Sequence, residues 1–529
     1  MILGLGRCLN WNKFNNIYNM RKTILSLLLL LFVSNLSFAQ EPTLTKKQMY
    51  KDFDQLVKII EDCNVQLPVR KAVTGFDNFA AIKGFRKNID SVTCNDGFNR
   101  ILSKALSYVM DDHSVPTYDY YAGYENLDGI DTNYLKGEQE RYLKKIMSPD
   151  NKNKLSEMYF PIPVSYYQGN YYMIGDNQYI SKKYRKDTLK ISFMEMLAYN
   201  GQDFHKYAKE NNFATRWDYK KKEFYLKSIW LPKAGILKVE QNDSVFEIHL
   251  NDYITNWGWC NSIESVKIEG VPVDERNYPF NNRKEVKYFE KDSILYIYIK
   301  SMMIDDTSFY DKIKEVGKEK IINKIVIDVR SNSGGSDLVW HNTLKAIIKD
   351  SIPFNIRIAY NNTKIMKDKL KEHNPNASTE KISWLDNKKY RIITDNDYIV
   401  GDSNSLKYNG KIYILYNGGT FSAAHSFVTY ADYLDQLVSI GYPTGRLVGF
   451  GLMASLFQLK YSKYTFRLAC TMDITNCTKP IDVYHDFPEI EVHQSLEEEL
   501  LYPNSEYDTK SEEYLYKYDS WFKKVLELE

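Results

Sequence analysis

Four stretches of the sequence carry residue types that could together perform acyl transfer on a serine. The first, "YNGGTFSAAHSFV", places Ser422 between an apolar run and an expected helix, a pattern that holds one hydroxyl at the start of a helix. A serine hydroxyl needs a base to take its proton and N–H donors to stabilise the oxyanion formed on the substrate. Ser422 is therefore the candidate nucleophile, with a helix N-cap as the alternative role.

The other three stretches offer the groups that such a serine requires. In "IVIDVRSNSGGSD", Gly334 and Gly335 follow an apolar strand and would let backbone amides approach a ligand, although a tight turn before a helix also uses glycine. "MDDHSVP" holds His113 at a helix exit, where a positive charge is favourable in any case. "KPIDVYHDFPEIEV" holds Asp482, which could orient a base or simply form a turn. His425, three residues after Ser422, could reach its hydroxyl or fill the core.

Composition describes an ordinary globular protein. The chain has 529 residues, 43% of them hydrophobic and 26% charged, which is enough for two or three domains with real cores. The formal net charge of +2 gives no electrostatic case for binding nucleic acid. The 43 tyrosines would suit a carbohydrate-binding surface, but they equally suit interfacial packing.

Residues 1–39 resemble a secretory signal with an upstream extension. Arg21 and Lys22 precede "TILSLLLLLFV" and then "SNLSFAQ", with small residues at Ser37 and Ala39 before the expected cleavage. A membrane anchor is the alternative, but the apolar run is shorter than the ~20 residues that span a bilayer. The sequence predicts export to a periplasmic or extracellular location, without stable membrane insertion after the signal is removed. Removal takes away four cations and no anions, so the net charge becomes −2.

Cysteine and histidine spacings predict neither a metal site nor a cofactor. Five cysteines follow residue 39, and their positions allow Cys63 to pair with Cys94, or Cys470 with Cys477, leaving at least one free thiol. There is no CxxC or HExxH pattern in the sequence. The sequence does not indicate an oligomeric state.

Hydrophobic periodicity divides the mature chain into four parts. Residues 40–156 are predicted to form a small helical domain, because apolar residues in "TLTKKQMYKDFDQLVKIIEDC" and "NDGFNRILSKALSYVMDDHS" recur at spacings of three and four. Residues 157–290 contain short β-type runs separated by turn residues. Residues 291–500 alternate apolar strands with helices, which is typical of an α/β layer with a buried sheet. Residues 501–529 are predicted to be a helical tail.

The order of the motifs is similar to that of a known family. "IVIDVRSNSGG", "KIYILYNGGTFSAAHSF", "IGYPTG" and "DFPEIEV", spread over about 200 residues, resemble the core of the tail-specific, or C-terminal processing, serine peptidases. That family includes the tricorn core and the interphotoreceptor retinoid-binding protein. The resemblance implies a multidomain α/β protein with a ClpP-like or crotonase-like βα spiral core. It also implies that 157–290 is a PDZ-like module.

The resemblance also assigns roles. Ser422 matches the nucleophile, and the amides of Ala423 and of Gly334 or Gly335 match the oxyanion hole. Leu447 stands where one branch has a catalytic lysine, so a Ser/Lys dyad is not expected. In the tricorn-like branch a histidine and a glutamate serve instead, and His113 and Asp482 hold those places, the latter one methylene shorter.

Three functions follow as hypotheses. The first is an exported serine endopeptidase acting on a peptide or protein substrate, with Ser422, His113 and Asp482 as the catalytic residues. The second is an inactive relative that binds a peptide, lipid or glycan, since a fold does not guarantee chemistry. The third, acyl-CoA chemistry on a crotonase-like fold, conflicts with export because acyl-CoA is cytoplasmic. Convergence of His113 and Asp482 on Ser422 would favour the first.

Overall fold

The computed structural model describes residues 43–117, 130–134, 159–162, 164–175, 192–211, 215–226, 229–232, 235–241, 243–249, 284–303, 305–371, 376–449, 451, 454–496, 498–499 and 508–528. The expected signal at 1–39, Cys260 and the expected strand "SVKIEGV" lie outside these residues. Within them, no helix is both long and apolar enough to cross a membrane.

The N-terminal part is helical, as its periodicity predicts. Its elements are α1 (Lys46–Cys63), α2 (Leu67–Thr74), α3 (Asn78–Gly84), a 3₁₀ turn (Phe85–Ser91) and α4 (Asn95–Ser107). Thr45 and Gln48 form the expected capping box at the start of α1. The buried faces of α1 and α4 share one hydrophobic core with Phe457, Phe466 and Leu468 of the third part. The helices are therefore attached to the rest of the chain by a common core.

The second part is mainly antiparallel sheet. Its elements are β1 (Tyr159–Ile162), β2 (Val164–Tyr167), β3 (Asn170–Gly175), β4 (Ser192–Tyr199), β5 (Gln202–Asp203), α5 (Phe204–Asn211), β6 (Thr215–Asp218), β7 (Glu223–Leu226), β8 (Ile229–Pro232), β9 (Ile236–Gln241) and β10 (Ser244–His249). Strands β10, β9, β4, β3 and β2 lie in that order in one sheet, β5 pairs with β4, and β6 and β7 form a separate hairpin. The predicted strands "NYYMIG", "AGILKVE" and "SVFEIHL" are confirmed as β3, β9 and β10.

The described chain from residue 284 onward contains the central sheet, and it includes the end of the second predicted part, the third part and the tail. Its elements are β11 (Lys284–Phe289), β12 (Ile294–Ile299), α6 (Thr307–Glu319), β13 (Lys324–Asp328), α7 (Leu338–Ile347), β14 (Ser351–Asn361), α8 (Lys364–Lys369), β15 (Ser378–Lys381), β16 (Lys389–Val400), β17 (Ile412–Leu415), α9 (Ala423–Ala431), β18 (Leu437–Gly441), β19 (Ser455–Gln458), β20 (Thr465–Leu468), β21 (Thr471–Asp473), a 3₁₀ turn (Pro480–Tyr484), β22 (Ile490–Glu491), α10 (Glu512–Lys517) and α11 (Ser520–Glu527).

The central sheet has the order β11-β12-β13-β17-β18-β22, with all neighbours parallel except the β11–β12 pair. Its strands are apolar along their whole length because both faces are covered: every residue of β12, β17 and β18 is buried. One face packs on α6, α7 and α9, and the other on the C-terminal helices through Trp521 and Phe522. Strands and helices alternate along the central sheet as predicted, and α10 and α11 lie within the predicted tail.

One large feature has no counterpart in the sequence prediction. Strands β14 and β16 pair antiparallel over eleven residues and form a second sheet with β15 and β21. Residues of that sheet, such as Ile358 and Ile393, enter the core that the N-terminal helices share.

The topology determines where polar loops meet. Parallel strands end at the same edge of a sheet, so the loops that follow β13, β17 and β18 converge there. These loops contain Gly334, Ser422 and Arg446 respectively.

Candidate active site

Ser422 lies at a strained turn between β17 and α9. Its backbone has φ 53° and ψ −132°, a region that side chains other than glycine avoid at a cost of about 1–3 kcal/mol. Its carbonyl accepts hydrogen bonds from the amides of His425 and Ser426, but its hydroxyl makes no capping bond. The side chain therefore makes no N-cap bond, and the turn leaves Oγ at the start of the helix, a geometry that resembles a nucleophile elbow.

The strained turn is held by hydrogen bonds from its own residues to the neighbouring loop. The amide of Phe421 donates to the carbonyl of Asn332 at 2.9 Å. The hydroxyl of Thr420 donates to the carbonyl of Val329 at 2.9 Å and accepts from the amide of Asn417. These bonds join the loop after β17 to the loop after β13, so the position of Ser422 is set relative to the glycines.

Gly334 lies directly against the elbow. A Cβ at this position would come within 2.5 Å of Ser422 Cβ, 2.8 Å of the Phe421 carbonyl oxygen and 3.0 Å of the Ala423 amide nitrogen. Its φ of 95° also disfavours any other residue. Glycine is thus required here to keep open the space beside the Ser422 side chain and the first amide of α9.

The amides near Ser422 are not equally available. The Gly334 amide donates to Asn332 Oδ1 at 2.8 Å, so it is already engaged. The amides of Gly335 and Ala423 have no acceptor among the described residues. Ala423 is the first residue of α9, where backbone N–H groups carry partial positive charge. Of the predicted oxyanion donors, Ala423 and Gly335 therefore have unengaged amides, while Gly334 provides space.

His113 meets Ser422 across 309 residues of sequence. Its Nε2 lies 3.3 Å from Ser422 Oγ. The turn that carries His113 is built on the buried Asp111 carboxylate, which accepts from the amides of His113 and Ser114 at 3.0 and 2.6 Å. Arg70, also fully buried, has Nη2 3.7 Å from that carboxylate. The segment that follows the turn pairs with β20 through bonds from Arg467 to Val115 and from Thr117 to Thr465.

The surroundings keep the His113 imidazole neutral. Burial lowers its pKa from 6.5, Asp111 and Asp112 oppose that shift, and Arg467 and Arg446 add to it. A neutral imidazole can accept a proton, which is the state that a general base requires.

Asp482 does not supply the expected third member. Its Oδ2 accepts hydrogen bonds from the amide and hydroxyl of Thr478 and from the amide of Lys479, all between 2.9 and 3.1 Å. The carboxylate thus closes its own 3₁₀ turn, and within the described part of the chain it makes no bond to His113. No other carboxylate hydrogen-bonds the His113 ring there.

His425 is a core residue. It is fully buried, its Nε2 lies 3.1 Å from the carbonyl oxygen of His485, and burial lowers its pKa to about 3. A base with so low a pKa stays neutral but accepts protons poorly, which favours the core-filling role. Leu447, at the place of the other branch's lysine, is also buried, and its carbonyl accepts two bonds from Arg70.

Four residues near His113 were not identified from sequence. The His113 ring stacks on Phe421 with centroids 4.5 Å apart and planes 26° apart. The guanidinium of Arg446 lies 4.5 Å from the centre of the same ring. Arg446 also forms an ion pair with Asp112, which Arg216 contacts at 3.2 Å. Burial and the neighbouring Arg216 lower the pKa of Arg446 to about 10, so it remains charged at neutral pH.

The described residues contain no cluster of histidine, cysteine, aspartate and glutamate suited to a metal ion. The cysteines Cys63, Cys94, Cys470 and Cys477 carry free thiols, so neither of the two pairings that the sequence allows is formed.

Comparisons with known proteins agree with this geometry. Residues 293–486 match the model of peptidase family S41. Mature CPAF has a similar structure, with 12% sequence identity, a TM-score of 0.50, and coverage of 84% of this chain and 92% of that chain. The photosystem II D1 C-terminal processing protease aligns with 11% identity and a TM-score of 0.36, covering 85% of this chain and 95% of that one. No curated protein sequence matches the chain.

The family match covers the loops that carry Gly334, Ser422 and Arg446, and the CPAF likeness extends the shared fold over most of the chain. The part of the chain that carries Gly334, Ser422 and Arg446 is therefore similar to peptidase family S41, which supports a serine-type peptidase.

Proposed function

We propose that the protein is an exported serine endopeptidase that cleaves peptide bonds through an acyl-enzyme on Ser422. The observation that carries the proposal is the 3.3 Å contact between His113 Nε2 and Ser422 Oγ, made at a strained turn. A hydroxyl at a helix start, next to a neutral imidazole, is the arrangement that nucleophilic acyl transfer requires.

The steps use residues of this chain alone. His113 Nε2 takes the proton of Ser422 as Oγ attacks the peptide carbonyl, and the amides of Ala423 and Gly335 donate to the resulting oxyanion. The carbon–nitrogen bond then breaks, and His113 returns the proton to the leaving amine. Water, deprotonated by His113, attacks the ester and releases the acyl product and Ser422. No metal or cofactor enters these steps.

The regions outside the site would serve substrate binding, support of the site and export. The region 157–290 would present substrate as a PDZ-like module; β4, the Asn200-Gly201 turn and α5 follow the order expected for it. The central sheet would be a ClpP-like or crotonase-like core. Export would follow from the signal-like segment at 1–39.

An inactive binding protein is the second candidate, and one observation favours it. Asp482, expected to complete the catalytic set, bonds to Thr478 and Lys479 instead of to His113. A site without an orienting acid could be a binding site that has retained the fold.

Fluorophosphonate labelling followed by intact-mass measurement separates the two candidates. We expect the wild-type protein to gain one probe mass, Ser422→Ala to gain none, and His113→Ala to react about 10²–10⁴-fold more slowly. Ser426→Ala, one turn along α9, and His493→Ala, an exposed histidine, are the matched controls and should react like wild type. Incubation of a peptide library with the unlabelled wild-type protein then tests for peptide substrates.

A folded wild-type protein that stays unlabelled and cleaves no peptide would overturn the peptidase proposal. Labelling that persists in Ser422→Ala would place the reactive group elsewhere and overturn the assignment of the nucleophile.

A further inference from the structure

His113 is held in place without a carboxylate on its ring. Four aspartates with described contacts all bond to other groups: Asp111 to backbone amides, Asp112 to arginines, Asp482 to its own turn, and Asp486 to the amides of Thr444 and Gly445. In a serine–histidine site the third group fixes the orientation of the imidazole. Another feature must do so here.

Phe421 is in the position to do it. Its ring stacks on the imidazole at 4.5 Å and 26°, a geometry that restricts rotation of the imidazole plane. Its backbone amide is bonded to Asn332, and its carbonyl lies beside Gly334. This ring belongs to Phe421, the residue directly before the nucleophile. The backbone of Phe421 is in turn bonded to the loop that carries Gly335.

Arg446 links this ring to the base through a second route. Its guanidinium lies 4.5 Å from the Phe421 ring centre and pairs with Asp112, the residue next to His113. Its Nε also donates to the carbonyl of Gly418 at 3.4 Å. Asp112, His113, Phe421 and Arg446 therefore form a closed circuit of one covalent link, one stacking contact, one cation–π contact and one ion pair.

We propose that Phe421, supported by Arg446 and Asp112, is the positioning residue for His113 and takes the place of the missing orienting carboxylate. This inference rests on the proposed function, in which His113 is the base. It predicts that the site depends on an aromatic ring at 421 more than on the carboxylate at 482.

The test measures the second-order rate constant of fluorophosphonate labelling for variants of the full protein. Phe421→Leu should lower the rate about 10–100-fold, because a loosened imidazole no longer faces Oγ. Phe421→Tyr, which keeps the ring, should stay within about threefold of wild type, and Asp482→Asn likewise. Phe79→Leu is the matched control, since Phe79 also carries a cation on its ring, Lys83 at 4.5 Å, but on α3.

The pH profile gives a readout that a merely structural role would not change. Removing the ring lets water reach the imidazole, so its pKa should rise toward the ordinary value and the acid limb of the rate should move to higher pH. The charged groups that act on the imidazole, Asp111, Asp112, Arg446 and Arg467, are retained in Phe421→Leu.

A double-variant cycle tests whether Phe421 acts through His113. If Phe421 works through His113, Phe421→Leu should cause no further loss in a His113→Ala background. Equal losses in both backgrounds, or a Phe421→Leu rate equal to wild type, would overturn this inference while leaving the proposed function intact. Should Phe421→Leu not fold, Arg446→Gln tests the same circuit with an expected loss of about tenfold. Absence of labelling in wild type would instead overturn the proposed function itself.

Discussion

The two halves of the site are built in different ways. The nucleophile half is made of backbone: a strained Ser422, a glycine that leaves space beside it, and amides at the start of α9. The base half is made of side chains, in which His113 depends on the Phe421 ring and on the Asp112–Arg446 ion pair.

Because of this difference, we expect the two halves to tolerate different kinds of substitution. The atoms that lie 2.5–3.0 Å from a hypothetical Cβ at residue 334, Ser422 Cβ and two backbone atoms, leave no room for an added methyl group, but they carry no net charge. The base half instead contains charged groups: Asp112, whose side chain is 33% exposed, and the guanidinium groups of Arg216 and Arg446, whose side chains are 8% and 11% exposed. We expect the nucleophile half to be sensitive to shape, and the base half to be sensitive to charge and pH.

Among variants that keep both Ser422 and His113, the largest effect should come from Gly334→Ala. The new methyl group would meet Ser422 Cβ and the Phe421 carbonyl and displace the elbow, and a displacement of about 1 Å can lower a rate about 10²-fold. Gly418→Ala is the matched control, because its Cβ would meet nothing closer than 3.6 Å. Labelling rates measured with the fluorophosphonate check both variants. Similar rates for Gly334→Ala and Gly418→Ala would contradict the view that space at 334 matters.

A smaller effect is expected from Asp112→Asn. The change leaves Arg216 and Arg446 facing each other without an anion, and we expect a loss of about 1–2 kcal/mol in the free energy of unfolding, given the partial exposure. The labelling rate should fall about tenfold as the circuit around His113 loosens. Urea denaturation and labelling measure the two quantities.

Asp54→Asn provides the comparison for Asp112→Asn. Asp54 pairs with Arg86 at 2.8 Å, but both side chains are about half exposed, so the pair should contribute less than about 1 kcal/mol. If the two variants lost equal stability and equal rate, the Asp112 ion pair would be an ordinary surface contact.

The halves also differ in how far the sequence predicted them. The small residues around Ser422 and the paired glycines predict sharp turns from the local sequence alone. The order of the motifs along the chain then indicates the resemblance to a family. The positive φ of Ser422 has no local signal, since serine does not favour that conformation and tertiary contacts impose it. The base half was only half predicted: His113 was found, whereas Arg446, 333 residues away, has no pattern that connects it with His113.

Asp482 shows that a local signal can outweigh a resemblance. Pro480 and Asp482 follow Lys479 at the positions where a helical turn takes a proline and an acidic cap. That spacing predicts hydrogen bonds to nearby amides, which the structure contains. The pairing of β14 with β16 was missed for a different reason: α8 and β15 lie between the two strands in the sequence, so no short turn signal joins them, and both strands are exposed over part of their length.

The pH dependence of the labelling rate reports on the base half, because it depends on the direction in which the pKa of His113 is shifted. Burial lowers the pKa of His113 below 6.5, so the acid limb of the rate should have its midpoint below pH 6.5. The rate should then fall as His113 takes up a proton at lower pH. A wild-type midpoint at or above pH 6.5 would mean that His113 is solvated or is not the base.

Variants in the two halves should change this profile differently. Asp112 raises the pKa of His113, so Asp112→Asn should move the acid limb to still lower pH while lowering the plateau. Gly334→Ala changes no charge, so it should lower the plateau and leave the midpoint where it is in wild type. If Gly334→Ala moved the midpoint as far as Asp112→Asn does, the expectation that one half is sensitive to shape and the other to charge would be wrong. The elbow would then also control the environment of the base, with Phe421 as the residue common to both.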